Sequence, residues 1–442
     1  MKQTNFTLIF RDLFLCACFL SIMYLINLIC LGLIEAQELF FLVLLSTTGF
    51  TLAYLVLVEG WGKRGGNHLL YPGEQIFLVL SLVGAMFVFY YNSDLTWVIF
   101  VLELLSFIVF GTSAIFNRTS FIKSVEGSLS YILPAFFSFV FIMLGILSQE
   151  TGYLLTAYSN ELIVLGLLIK LASFPFLIWP FQFFQGCSYE TMVVLAILNK
   201  VSVLLVVTQY IQGCYILLYF SGVLSVIVGS LLLVNAKQLR VVLAMTTVTS
   251  SGWLLVYVAG VKLNQSSLPG VGVVRLSENV LTSAYGIMGF YFLFFALSFI
   301  LLTWAAKTAE DGGCNHSYLA GGTRERAVNL TTWMGALACV GLAGVPPVAS
   351  FYFKFLLLES YSQEELTLLA FLMLASSLLN TYGYLRVFLS VTKRLGGERV
   401  FNLKWTWLPA SFFNPSYLCG YPLFYVLFTI ALFSLLGLLL LI

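Results

Sequence analysis

The sequence predicts an all-α polytopic membrane protein of about thirteen transmembrane helices, and three observations predict it. Hydrophobic residues make up 60% of the 442 residues and charged residues only 9%, where a soluble domain carries about 25% charged residues to cover its surface. Apolar stretches long enough to cross a hydrocarbon core, which takes about 20 residues per helix, recur along the whole chain. The basic residues gather in every second loop between those stretches.

On the ruler of bilayer thickness the spans fall near 13–34, 38–58, 75–91, 95–116, 129–147, 161–185, 190–211, 214–235, 239–261, 279–305, 328–359, 366–391 and 418–442. The first has few basic residues before it and no convincing cleavage site, so it reads as a helix and not as a signal peptide. Alternation of thirteen helices puts the N-terminus and the loops near 59–74, 117–128, 186–189, 236–240, 306–327 and 392–417 on one face. That face holds fifteen of the 21 Lys and Arg residues, the opposite face holds Lys262 and Arg275, and four lie inside spans. One missed or extra helix would scramble this bias, so the basic face is read as matrix or cytoplasm, with the N-terminus inside.

The four basic residues inside spans are Lys170, Lys200, Lys354 and Arg386. A charge at mid-bilayer costs roughly 2.5 to 3.5 kcal/mol on insertion scales, so such residues need a function or a partner. Glu103, within LTWVIFVLELLSFIVFG, is the one carboxylate at mid-span, and Lys170 is its preferred partner. Arg386 lies close to the basic face, where its side chain reaches the headgroups by snorkelling. Prolines interrupt two spans beside these lysines: Pro175 follows Lys170, and Pro346 and Pro347 precede Lys354. A proline removes a backbone donor, so each helix opens there, which lipid tolerates only where protein or internal water satisfies the freed groups. Two broken helices in corresponding halves predict inverted five-helix repeats. The chain then divides into N-terminal helices (1–74), a first repeat (75–211), a second repeat (212–391), and a C-terminal loop with the last helix (392–442).

Several chemistries are excluded. The eight cysteines are scattered without a CxxC pair and read as small core residues. The two histidines, His68 and His316, fall in loops, which argues against a metal or haem site within the membrane. No glycine-rich phosphate loop follows a strand, so no nucleotide site is assigned, and nothing points to nucleic acid. What remains is proton chemistry. Desolvation lowers the proton affinity of a buried lysine and a neighbouring carboxylate raises it, so a row of such sites joined by internal water makes a gated proton path. Its energy has to come from an ion gradient or a partner subunit.

Six stretches in combination carry a family resemblance over roughly residues 75–391: LELLSF around Glu103, GLLIKLASFPFLIW around Lys170, LNKVSVL around Lys200, QLRVVLAMTTVTSSGW around Arg240, LAGVPPVASFYFKF around Lys354, and YGYLR ending in Arg386. The chain resembles the antiporter-like membrane subunits of respiratory complex I, and within them the subunit 2 branch. Lys354 stands where the subunit 4 branch has a glutamate, and the chain is short for subunit 5. The resemblance implies a proton-translocating subunit that couples NADH oxidation and ubiquinone reduction, done elsewhere in the complex, to proton pumping. Its implied relay is Glu103, Lys170, Lys200 and Lys354, with Arg240 and Arg386 as secondary candidates. It implies no cofactor and no metal on this chain, with NADH, FMN, Fe–S clusters and ubiquinone on partner subunits, and bound phospholipid or cardiolipin. The implied partners are other membrane-arm subunits and lipid, in a hetero-oligomer of the mitochondrial inner membrane or, alternatively, a bacterial inner membrane. The family's fuller form has one more helix among its first three.

The chain departs from the family at four positions. Leu177 and Ser250 replace histidines, Gln182 replaces an aspartate, and Ser130 stands where a lysine is usual. Two alternative readings are an Mrp-type Na+/H+ antiporter subunit and a structural membrane subunit whose charges are relics.

Overall fold

The computed structural model describes residues 95–115, 121–151, 158–209, 214–236, 238–265, 278–311, 335, 338–345, 349–363 and 367–395. Every regular element among them is helical: α1 (Leu95–Ile115), α2 (Phe121–Thr151), α3 (Ser159–Lys170), α4 (Ile178–Gly186), α5 (Tyr189–Val194), a π-helical turn (Leu195–Asn199), α6 (Lys200–Gln209), α7 (Tyr215–Asn235), α8 (Leu239–Gln265), α9 (Glu278–Asp311), α10 (Ala349–Gln363) and α11 (Thr367–Leu395). Residues 338–343 add a helical segment before α10. Described helices occupy each expected span from the fourth to the twelfth, the eleventh only in part. The first three spans, the last span, and Pro346 and Pro347 lie outside the described residues.

Two boundaries differ from expectation. The α2 helix starts at Phe121, within what reads as a loop, because its polar first turns stay helical outside the apolar stretch. The broken span ends its first half at Lys170 and resumes at Ile178, so Pro175 lies inside the connection and does not itself end the helix.

Five helical stretches among the described residues are long and apolar enough to cross a membrane: Val125–Gln149, Thr191–Thr208, Tyr215–Asn235, Leu239–Gly260 and Leu368–Phe388. They form layers. The continuous run of α5, the π turn and α6 is buried throughout, and α8 nearly so, whereas α2 and α11 turn large apolar side chains outward. Leu133, Phe136 and Phe137 on α2, and Leu368, Phe371 and Leu378 on α11, are exposed. A water-facing helix would carry polar residues there, so these faces fit lipid.

The inner faces follow the opposite rule. Lipid gives apolar side chains little reason to leave it, so helices in membranes associate through small residues that let backbones approach. On α7, Ser221, Ser225 and Ser230 face inward, and each hydroxyl donates to the carbonyl three residues earlier. Their burial therefore leaves no unpaired donor. Between α2 and α3 the contact is closer still. A Cβ on Gly166 would lie 2.7 Å from the Ser138 carbonyl oxygen, and one on Gly145 would lie 2.8 Å from the Ser159 carbonyl oxygen. These glycines set the distance at which α3 is held.

Candidate functional site

Helix α3 ends inside the protein, so its last carbonyls need donors that lipid cannot supply. Each has one. Leu167 O accepts from the Leu171 N–H at 2.9 Å, Leu168 O from the Ser173 N–H at 3.2 Å and the Ser173 hydroxyl at 3.0 Å, and Ile169 O from the Ala172 N–H at 3.2 Å. The Trp179 indole N–H adds a second bond to Ile169 O at 3.1 Å, and the Asn199 side-chain amide donates to Lys170 O at 3.0 Å. The two bonds from Ala172 and Ser173 are a Schellman stop, with Ala172 at φ 57° in the position that usually carries glycine. An L-residue in that conformation is disfavoured by roughly 1–2 kcal/mol. Ala172→Gly is therefore expected to raise thermal stability by about 1 kcal/mol and Ala172→Val to lower it, measured by heat-induced loss of the folded chain in detergent.

The ordered helix end carries Lys170 as its final residue. Its ammonium lies 2.5 Å from Glu103 Oε1 on α1, an ion pair that joins α3 to α1 inside the protein. The Ser106 hydroxyl, one turn on, lies 3.0 Å from Glu103 Oε2. The negative end of the α3 dipole favours a cation at this position as well. The glutamate thus has a cation on one oxygen and a hydroxyl near the other.

Lys200 opens α6, the helix with protein on all sides. Its ammonium donates to the Thr247 carbonyl and, at 2.5 Å, to the Ser250 hydroxyl, both on α8. It also lies 4.6 Å from the centre of the Phe295 ring on α9. No carboxylate among the described residues pairs with it. Ser250 hands its own proton to Thr247 O at 3.0 Å, so its oxygen is turned to accept from the lysine.

Lys354, on α10, points at the end of the 338–343 segment. Its ammonium is 3.5 Å from the Ala343 carbonyl oxygen and 5.7 Å from the centre of the Trp253 ring on α8. Gly344 follows at φ +70°, and a Cβ there would come within 2.9 Å of the Lys354 ammonium. The Ser350 hydroxyl satisfies Gly341 O at 2.9 Å. Lysine and helix end meet here as they do at Lys170, with the lysine supplied by the following helix.

The four charges share one interior: Glu103 is 8% exposed, Lys170 3%, Lys200 4% and Lys354 6%. Two features connect them. Asn199 binds the Lys170 carbonyl and is followed directly by Lys200. Ser250 and Trp253, three residues apart on α8 and so on one side of it, reach Lys200 and Lys354 respectively. The structure does not bring the two arginines into this row. Arg240 donates to the Cys187 carbonyl at 2.5 Å, reaches the Phe184 and Gln185 carbonyls at 3.4 Å, and lies over the Tyr189 ring, closing the end of α4. Arg386, read as snorkelling to the headgroups, is half-buried and donates to Val234 O at 2.7 Å near the end of α7, because that carbonyl lies within its reach inside the bundle. Pro175 is exposed in the connection. Asn199 and Trp253 were not singled out by the sequence, and Ser250 was noted only as a missing histidine. Among the described residues no three His, Cys, Asp or Glu side chains converge as metal ligands.

A family model described as NADH:quinone oxidoreductase/Mrp antiporter, transmembrane, matches residues 76–380, which include all four buried charges. The NADH-quinone oxidoreductase subunit N of Blochmanniella floridana is 23% identical over 393 residues, spanning 78% of this chain and 75% of that protein. The NADH-ubiquinone oxidoreductase chain 2 of Symphalangus syndactylus is 26% identical over 310 residues, 67% of this chain and 79% of that one. Among solved structures, a chain of respiratory complex I from Thermus thermophilus superposes with a TM-score of 0.54 at 21% identity, covering 85% of this chain and 89% of that chain. A chain of the Mrp complex from Dietzia sp. DQ12-45-1b superposes with a TM-score of 0.66 at 16% identity, covering 88% and 75%. The two superpositions carry the fold alone; the sequence match carries membership. The chain belongs to the NADH:quinone oxidoreductase/Mrp antiporter transmembrane family.

Proposed function

We propose that this chain is a proton-translocating membrane-arm subunit of respiratory complex I, coupling NADH oxidation and ubiquinone reduction on partner subunits to proton movement through Glu103, Lys170, Lys200 and Lys354. The observation that carries this reading is the buried row itself. Three lysines and one glutamate lie inside the bundle, with a single carboxylate among them, an arrangement too expensive to retain as packing alone.

The geometry supports distinct roles. Glu103 neutralises Lys170, so separating the two changes the charge presented to Lys200. Lys200 is held by a carbonyl, a hydroxyl and an aromatic face, none of which fixes it as a cation the way a carboxylate would. It is therefore the site free to lose and regain a proton. Lys354 continues the row, with the 338–343 helix end as its counter-charge. Beside these residues the Tyr131 hydroxyl and Trp253 indole N–H are buried without a hydrogen-bond partner among the described residues. Buried polar groups of this kind are where internal water bonds and where protons pass between fixed sites. Arg240 and Arg386 hold helix ends at the edge of the bundle and have secondary parts at most.

The same reading takes residues 75–211 and 212–391 as inverted repeats, supported by a lysine at the carbonyl end of each broken helix. It places the chain in the mitochondrial inner membrane with its N-terminus in the matrix, or in a bacterial inner membrane. NADH, FMN, Fe–S clusters and ubiquinone belong to the partner subunits, and phospholipid or cardiolipin covers the outward apolar faces. The Mrp-type antiporter is the second reading, since the matching family model is described by both names. Native electrophoresis of mildly solubilised membranes separates the two. Migration of this chain in a large NADH-oxidising assembly is the expected result, and recovery only with cation-antiporter subunits contradicts it.

A further inference from the structure

We propose that Asn199 is a positioning residue that ties the state of the Glu103–Lys170 pair to the seat of Lys200. The proposal deepens the relay reading and rests on it. Its geometric basis is the bond from Asn199 Nδ2 to the Lys170 backbone carbonyl, 3.0 Å long and fully inside the protein.

That carbonyl has no local donor. A continuing helix would offer the Phe174 N–H, but the chain turns away at Ala172, and Pro175 next along has no N–H to give. A buried carbonyl left without a donor is unfavourable, so Asn199 completes the helix end that presents Lys170. The same asparagine closes the π-helical turn Leu195–Asn199 and directly precedes Lys200. Successive residues on a helix point about 100° apart, so Asn199 faces α3 while Lys200 faces α8. Its backbone carbonyl is held in turn by the Ser202 hydroxyl at 2.8 Å, which fixes the first turn of α6. π-helical turns are rare and concentrate at functional positions, and this one delivers both residues to their partners.

The consequence is mechanical. When Lys170 parts from Glu103, the end of α3 loses its anchor on α1 and its carbonyl shifts. Asn199 moves with that carbonyl, and Lys200, one residue away, moves relative to Thr247 and Ser250. No side chain other than that of Asn199 is required. A purely structural Asn199 would satisfy the carbonyl and nothing more, and the two roles separate experimentally.

The test uses the assembled complex in liposomes and reads protons pumped per NADH oxidised. Lys200→Met defines the share of pumping that runs through this chain. Asn199→Leu, which keeps the size and removes the donor, is expected to lose most of that share, and Asn199→Gln, which keeps an amide N–H, to recover it. Parental pumping by Asn199→Leu beside a deficient Lys200→Met overturns the role of Asn199 and leaves the relay standing. Parental pumping by Lys200→Met overturns the relay, and the Asn199 proposal with it. Where Asn199→Leu does not assemble, Asn199→Ala replaces it with the same two outcomes.

Discussion

Glu103→Gln is expected to stop proton passage through this chain and to destabilise its fold by about 3–5 kcal/mol, the range for removing one partner of a buried ion pair. The size of the effect follows from what remains. Lys170 is 3% exposed, its ammonium has Glu103 as its carboxylate partner at 2.5 Å, and the helix end behind it supplies only a fractional counter-charge. A neutral amide leaves the cation inside the bundle without a full negative charge. Much of the loss comes from the stranded lysine and not from the missing attraction, so Glu103→Gln with Lys170→Met is expected to regain most of the stability and none of the pumping. Yield of assembled complex after mild heating measures the first, and proton uptake by reconstituted vesicles the second. A double variant that pumped normally would show that the pair is structural.

The second large effect is expected at Gly344. Its φ of +70° disfavours any side chain by roughly 1–2 kcal/mol, and a Cβ would also fall 2.9 Å from the Lys354 ammonium. Gly344→Ala therefore has to push Lys354 off the Ala343 carbonyl and away from the Trp253 ring. The share of pumping that runs through this chain is expected to fall several-fold in a complex that still assembles, since the strain alone is tolerable in a well-packed bundle. Gly344→Ala with unchanged pumping would mean that the seat of Lys354 is not used.

Much of the fold was legible because lipid enforces it. Long apolar runs follow from bilayer thickness alone, and described helices occupy the expected spans from the fourth to the twelfth, the eleventh in part. The partnership of Glu103 and Lys170 was legible for a related reason: a lone mid-span carboxylate has few places to find a cation. The helix break was legible only in part. Pro175 announces it, but the helix stops at Lys170 because Ala172 takes a left-handed conformation that alanine does not advertise. Ser250, seen in the sequence as a histidine lost, supplies the hydroxyl that receives the Lys200 ammonium. Asn199 and Trp253 gave no signal, because an asparagine before a lysine and a tryptophan in an apolar run acquire meaning only when α3, α8 and α10 are brought together. The partner of Arg386 was equally hidden, since the Val234 carbonyl that accepts from it is 152 positions away in the chain.

The central claim is that protons pass through the buried row by way of Lys200. Lys200→Met keeps the length of the side chain and removes its charge, so the tightly enclosed start of α6 accepts it. Proton uptake relative to NADH oxidation, measured in sealed vesicles holding the intact complex, tests the claim most directly. A lowered ratio with the complex fully assembled is the predicted result, and an unchanged ratio in the same preparation contradicts it.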